Sequence, residues 1–309
     1  MINLGYACIN MTLSDGPKKS RVTTNRSMIK RTFLEKGSKY ASELALQNLN
    51  DLLTILKWNK ENGISFFRIS SEVFPWASEY NIEELENYPD LLAAAKRVGE
   101  FASKNNIRLS SHPGPFNKLC SYKDQVVANT IKDLEIHGKL FDMIGLERSP
   151  YNKINIHVGA AYDSKEMALN NFCRNFERLS DSVRSRLTVE NDDRPSLYST
   201  HELFDGVFKK IGIPIVFDYH HHKFRNDGET EREALELASE TWSNIKQAVH
   251  YSESKRDEAN DPKIKENAHS DYIYRRLDNY GIDLDVMIEA KAKEKALLRY
   301  REKHFPNEV

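Results

Sequence analysis

The chain has 309 residues, 39% hydrophobic and 29% charged, with a formal net charge of −1. That is an ordinary globular balance, long enough for two medium domains or one (β/α)8 barrel. No stretch approaches the roughly 18–20 apolar residues of a membrane span, so no membrane partner is expected, and the near-neutral charge excludes a global cationic field.

Eight short β-rich runs alternate with long amphipathic segments, the pattern of βα units. The runs are Ile2–Cys8, Ser65–Ser70, Ile107–Ser111, Ile154–Val158, Leu187–Glu190, Pro214–Asp218, Ala248–Tyr251 and Asp285–Ile288. The seventh is weak alone and is taken from its place in the series. Between the first two runs, Leu44, Leu49, Leu52, Leu53 and Leu56 fall at helical spacing before Gly63 stops the pattern. Further helices are predicted over Pro89–Phe101, Asp124–Ile144, Ser164–Ser185, Thr200–Lys210 and Thr230–Trp242. Asp271–Tyr280 reads as a short seventh helix, and Glu289–Lys303 as an exposed last one. With no linker and no break in composition, the fold class is α/β: a single TIM barrel over residues 1–309.

Two long connections follow strands, Asn10–Gly37 and Ser252–Ala268. Both therefore belong to the face that carries active sites in such barrels. The first is basic, with Lys18, Lys19, Arg21, Arg26, Lys30, Arg31 and Lys36 against Asp15 and Glu35. Alone it reads as a solvated loop; beside an active face, phosphate binding is as strong a reading. The opening Met1-Ile2-Asn3-Leu4-Gly5-Tyr6 has no basic start and apolar run, so no secretory leader is expected. Cys8, Cys120 and Cys173 are odd in number, widely spaced and form no CxxC pair, which argues for a reducing compartment and against a zinc ribbon.

Six consecutive strands end in a residue able to bind metal: His112, His157, Glu190, Asp218 with His221, His250, and Glu289. Any one alone is more often a hydrogen-bonded histidine or a helix cap. Together, carboxylates converging on one rim would repel, and a counter-cation is the natural solution. Mixed imidazole and carboxylate donors suit Zn²⁺, Mn²⁺ or Fe²⁺ better than Ca²⁺ or Mg²⁺. The set is too large for one tetrahedral ion, so two or three ions are expected, with Glu190 placed to bridge. Within His220-His221-His222 not every ring can face one ion.

The chain resembles the ultraviolet damage endonuclease family, which shares its barrel with endonuclease IV. The marks are Phe67-Arg68-Ile69-Ser70-Ser71, Phe74-Pro75, Ser111-His112-Pro113-Gly114, Ile156-His157 with Gly159, and Glu190-Asn191-Asp192-Asp193. They continue through Asp218-Tyr219-His220-His221-His222 and His269-Ser270-Asp271-Tyr272 to Glu289-Ala290-Lys291 with Lys293-Glu294-Lys295-Ala296. The resemblance implies an endonuclease that cuts damaged double-stranded DNA 5′ to cyclobutane dimers and (6-4) products, leaving a 3′-hydroxyl and a 5′-phosphate. It implies a cluster of divalent ions with manganese favoured, held by His112, His157, Glu190, Asp218, His221, His250, His269 and Glu289. Glu190 and Glu289 would be the catalytic carboxylates. Tyr6 and Asn10 match positions that lie against the damaged nucleotides, and Phe116 matches an aromatic wedge that enters the duplex beside the lesion.

The sequence departs from the pattern in three places. Pro115 stands where some relatives carry glutamine beside the wedge. Ala248 stands where some carry a modified lysine two residues before the seventh-strand histidine. Ser71 and Glu72 end the second strand, where endonuclease IV has a histidine. The expected context is a monomer in the cytoplasm, or on the nucleoid of a prokaryote. The alternatives are an abasic-site endonuclease of the endonuclease IV type and, more distantly, a metal-dependent sugar isomerase or a non-catalytic DNA-binding barrel.

Overall fold

The computed structural model describes residues 2–17 and 20–306. Lys18 and Lys19 of the basic connection lie outside the described residues. Eight parallel strands close into a ring in chain order: β1 (Ile2–Ala7), β2 (Phe66–Ile69), β3 (Arg108–Ser111), β4 (Ile154–Ile156), β5 (Leu187–Glu190), β6 (Ile215–Asp218), β7 (Gln247–Tyr251) and β8 (Leu284–Ile288). All eight expected runs are strands, including the weak seventh, and β1 closes the barrel against β8 with Tyr6 opposite Ile288.

The helices are α1 (Met11–Ser14), α2 (Lys30–Glu61), α3 (Tyr88–Lys104), α4 (Asp124–Ile144), α5 (Lys165–Phe176), α6 (Asp181–Arg184), α7 (Thr200–Leu203), α8 (Lys209–Ile211), α9 (Tyr219–His222), α10 (Glu231–Glu240), α11 (Lys255–Ala259) and α12 (Lys293–His304). A π-helical turn over Phe204–Phe208 joins α7 to α8.

Side chains alternate across each strand. The outward set, such as Phe67, Ile69, Leu109, Ile156, Val189, Phe217 and Val249, packs under the helices in one continuous core. The inward set is different. Part of it is a small apolar cluster of Ala7, Phe66, Val216, Ala248 and Met287, joined by Trp242 from the connection between α10 and β7. Beside it Arg108 is wholly buried, paired with Asp285 at 2.8 Å and facing the Phe66 and Trp242 rings. That plug fills the bottom of the barrel, so the polar inward residues above it can open only toward the carboxyl ends of the strands. Gly99 lets α3 approach α4 closely: a Cβ there would lie 1.8 Å from the Ile144 carbonyl oxygen.

Several expected elements are corrected. Residues 271–280 are not helical. Their amides are captured by acceptors from elsewhere. Asp271 and Tyr272 donate to the Glu258 carboxylate, Tyr274 and Arg275 to that of Glu253, and Leu277 to the Tyr300 hydroxyl. The last helix starts at Lys293 rather than Glu289, because the Lys291 and Ala292 amides donate to the Ser270 and Asp271 carbonyls. The segment 164–185 divides into α5 and α6. The first long connection is shorter than expected, since α1 forms at once and helix resumes at Lys30, broken at Gly37 by a φ of 67°. The second contains α11.

Candidate metal centre

Glu190, at the end of β5, is the hub of the rim. Its Oε2 is 3.1 Å from His112 Nε2 and 3.7 Å from His157 Nε2; its Oε1 is 3.0 Å from His250 Nδ1 and 3.4 Å from His221 Nδ1. The Asn155 amide donates to the same carboxylate, while the Thr188 hydroxyl donates to Asn155 at 2.8 Å. Four strand ends thus deliver imidazoles to one buried carboxylate.

Among the described residues, three overlapping groups offer ligand atoms within 4.8 Å of one another: His112, Glu190 and His250; His157, Glu190 and His221; and Asp218, His250 and Glu289. Glu190 and His250 each belong to two groups; the Glu190 carboxylate has an oxygen for each and can bridge, whereas His250 turns only Nδ1 to the cluster and can serve one of them. The expected set is therefore brought together, except that His269 lies beside the groups rather than in one. Its backbone pairs with Ser254 in a short antiparallel bridge. Its Nδ1 sits 2.8 Å from the Ser252 hydroxyl, and its ring is 6.2 Å from that of His221.

The ring orientations are fixed from outside the cluster. His112 Nδ1 is 3.1 Å from the Pro113 carbonyl and His221 Nδ1 is 2.9 Å from that of Asn191. His157 Nδ1 faces the Asp192 carboxylate at 3.2 Å. If each Nδ1 carries the proton, the Nε2 atoms are left as donors for a cation, the usual support of metal-binding histidines.

The electrostatics fit cations. Burial alone would raise the Glu190 and Glu289 carboxyls, but His250 and His157 hold Glu190 well below the usual range, and Arg68 with His250 does the same for Glu289. Burial opposes charge on His157, yet Glu190 and Asp192 raise it to about 10; burial pushes His112 down to about 4 and Asp218 up to about 6. Asp218 spends one oxygen on the amides of His220 and His221. Its other oxygen is buried with no hydrogen-bond partner, which costs free energy unless a cation meets it. Oxygen and imidazole donors around an unsatisfied carboxylate fit divalent ions.

Two residues of the rim were not singled out as site residues from the sequence. Arg68, inward on β2, forms an ion pair with Glu289. Lys153, immediately before β4, is fully buried with its Nζ 3.0 Å from His250 Nε2. Burial lowers it to about 7 despite Glu190. The sequence did hold a signal: Lys153, Asn155 and His157 alternate with Ile154, Ile156 and Val158, so all three polar residues share the inward face. Lys246 is not in the site; it pairs with Asp285 at 3.0 Å near the barrel floor. Ala248 belongs to the apolar plug.

His220 and His222 are buried but fall in none of the three groups. The His220 ring meets Phe224 edge-on, and that of His222 packs on Phe217.

Tyr6 and Asn10 are closed off from the rim in this conformation. Both are completely buried. The Tyr6 hydroxyl donates to Asn59 of α2 at 2.7 Å and accepts from Asn10 at 2.9 Å, while the Asn10 side chain caps α1 by accepting from Leu13. Tyr6 points outward from the barrel, so a nucleotide would reach it only if this chain of hydrogen bonds opened.

Pro115 and Phe116 stand at the tip of the loop after β3, and Phe116 is 88% exposed. The tip is anchored by Asn117, whose side chain donates to the Gly114 carbonyl at 3.0 Å and to Asp133 at 2.7 Å. A cleft of about 260 Å³ runs from Pro115 and Lys118 to His157 and His221, with Arg194 on its margin. In the basic connection, Arg26 is committed to Asp51 and to the Thr23 and Arg21 carbonyls, and Arg31 pairs with Glu35. Both serve local structure here, which weakens the phosphate-binding reading of that loop.

A model of the UV-endonuclease UvdE family matches residues 2–306. The chain is 35% identical to the UV-damage endonuclease of Schizosaccharomyces pombe, an alignment covering 95% of this chain and 49% of that protein; it spans about half that relative's length. It is 33% identical to the UV DNA damage endonuclease of Clostridium perfringens, over 95% of this chain and 68% of the other. The crystal structure of SacUVDE superposes with a TM-score of 0.84 at 30% identity, covering 98% of each chain.

Proposed function

The chain belongs to the UV-endonuclease UvdE family, and on that premise we propose that it hydrolyses the phosphodiester immediately 5′ to ultraviolet photoproducts in double-stranded DNA, leaving a 3′-hydroxyl and a 5′-phosphate. The observation that carries this reading is the convergence of three ligand groups, two of them sharing the Glu190 carboxylate, on the rim that also presents Phe116.

Glu190 with His112 would hold one ion, His157, Glu190 and His221 a second, and Asp218 with Glu289 a third, with His250 giving its Nδ1 to the first or the third and His269 at the margin. Divalent ions there, manganese by preference, supply water activation and neutralise charge at phosphorus. The chain does the rest. Arg68 keeps Glu289 ionised and fixes its direction. Asn155 and Thr188 hold the Glu190 carboxylate in place. Phe116 enters the duplex beside the lesion, where a photoproduct makes unstacking cheaper than in intact DNA; Pro115 stiffens the tip behind it. The cleft between the tip and His157 accepts the displaced nucleotide. The enzyme acts as a monomer on the cell's DNA.

The test is strand nicking of a labelled duplex with one cyclobutane dimer, with Mn²⁺ and with chelator, beside undamaged and abasic duplexes. A Mn²⁺-dependent cut just 5′ to the dimer is the expected result. Cutting of the abasic duplex alone would assign the enzyme to abasic sites instead.

A further inference from the structure

Two tyrosines on the same face as Phe116 have no place in the metal centre. Tyr122 lies in the loop between β3 and α4, six positions after the wedge tip, and is 61% exposed; Tyr162 lies in the loop between β4 and α5 and is 43% exposed. Their rings meet edge to face, 5.0 Å apart with an interplanar angle of 72°.

The pair is held, not draped. The Lys118 ammonium donates to the Gly159 carbonyl, and the Cys120 thiol lies 3.0 Å from the Val158 carbonyl. These contacts tie the two loops together on either side of the cleft that leads to His157. The Lys123 ammonium lies 5.8 Å from the Tyr122 ring centre. Tyr162 holds a left-handed backbone, φ 48°, a conformation uncommon for a bulky side chain.

A rigid pair of exposed rings with a cation beside it has the chemistry that takes a nucleic-acid strand: a face for a base and a charge for its phosphate. The need for it follows from the wedge. A side chain that unstacks the duplex leaves neighbouring bases without partners, and an aromatic platform returns part of that stacking energy.

We propose that Tyr122 and Tyr162 form a second DNA contact, stacking on a nucleotide that flanks the lesion while Lys123 faces its phosphate. This rests on the reading of the chain as a DNA endonuclease. The pair sets affinity for distorted DNA and not the rate of the chemical step.

Nicking and fluorescence anisotropy, read on one labelled duplex with a single cyclobutane dimer, test it. The double variant Tyr122→Ala/Tyr162→Ala is expected to raise KM and Kd about tenfold, with kcat within about twofold of the parent and manganese content unchanged. Tyr122→Phe/Tyr162→Phe should behave as the parent, because stacking needs the ring and not the hydroxyl. Unchanged KM and Kd in the alanine pair would overturn the proposal, as would a phenylalanine pair as impaired as the alanine pair. If the double variant misfolds, the single alanine variants carry the same comparison. A parent that binds the duplex without nicking it, with the Kd effect intact, would remove the endonuclease reading and keep the contact. A parent that binds no DNA would remove both.

Discussion

The Lys153 ammonium lies 3.0 Å from Nε2 of His250, on a strand that is not a neighbour of β4 in the ring. His250 therefore has only Nδ1 to offer the cluster, and that atom already faces Glu190 at 3.0 Å and Glu289 at 3.2 Å. Lys153 orients the ring and places a titratable nitrogen, lowered to about 7 by burial, where Ala248 gives β7 no lysine of its own.

Replacing Lys153 by Met keeps the volume and removes that partner. Losing a supporting hydrogen bond behind a metal-binding histidine costs about 10–100-fold in metal affinity. Mn²⁺ affinity by calorimetry is expected to fall by that amount. The melting temperature of the metal-free protein should hold, because an apolar replacement also removes a buried charge. Unaltered affinity would show that His250 is positioned without the lysine.

Glu289→Gln keeps the shape of the side chain and removes its charge. Nicking should fall by about 100-fold or more, while duplex affinity stays within about threefold, because the wedge loop is untouched. Stability should drop by less than the roughly 3–5 kcal/mol of an orphaned buried charge, since the amide oxygen can still accept from Arg68. Nicking kinetics, anisotropy and a thermal melt separate the three effects, and retained nicking would sink the catalytic role.

The strands were legible because an apolar run followed by an amphipathic segment repeats eight times, and the candidate ligands because residues able to bind metal recur where such runs stop. The segment Asp271–Tyr280 misled because Tyr272, Ile273, Leu277 and Tyr280 have helical spacing, while the acceptors that claim its amides, Glu253, Glu258 and Tyr300, lie elsewhere in the chain. Arg68 and Lys153 were legible as inward-facing residues, but their partners Glu289 and His250 meet them only when the ring closes. The burial of Tyr6 also needed the fold: its parity places it on the helix side of β1, where Asn59 waits on α2.

Metal binding should strengthen with pH. In the metal-free chain the neighbouring carboxylates raise His157 from 6.5 to about 10, against burial, and burial raises Asp218 from 3.8 to about 6. Both pKa values lie above their unfolded values, so their proton-linked stabilisation is full at low pH. It is lost for Asp218 as pH rises through about 6 and for His157 as pH rises through about 10. A divalent ion needs the same groups deprotonated. The rise in melting temperature on adding Mn²⁺ should therefore grow from mildly acidic to mildly alkaline pH, with proton release visible as a buffer-dependent binding enthalpy. A metal-induced shift that is flat with pH would mean that neither residue is a ligand.

Phe116→Ser tests the wedge with little risk to the fold, since the ring is 88% exposed and the loop is held by Asn117. An aromatic side chain that replaces lost base stacking contributes about 1–3 kcal/mol, so KM for a dimer-containing duplex should rise by about tenfold or more, with metal content and melting temperature unchanged. The loss should be smaller on a duplex whose lesion is already unstacked, such as an abasic site opposite a gap, because less stacking has to be broken there. Phe116→Tyr should restore most of the affinity. An equal loss on both duplexes would assign Phe116 to general DNA affinity and not to opening the helix at the lesion.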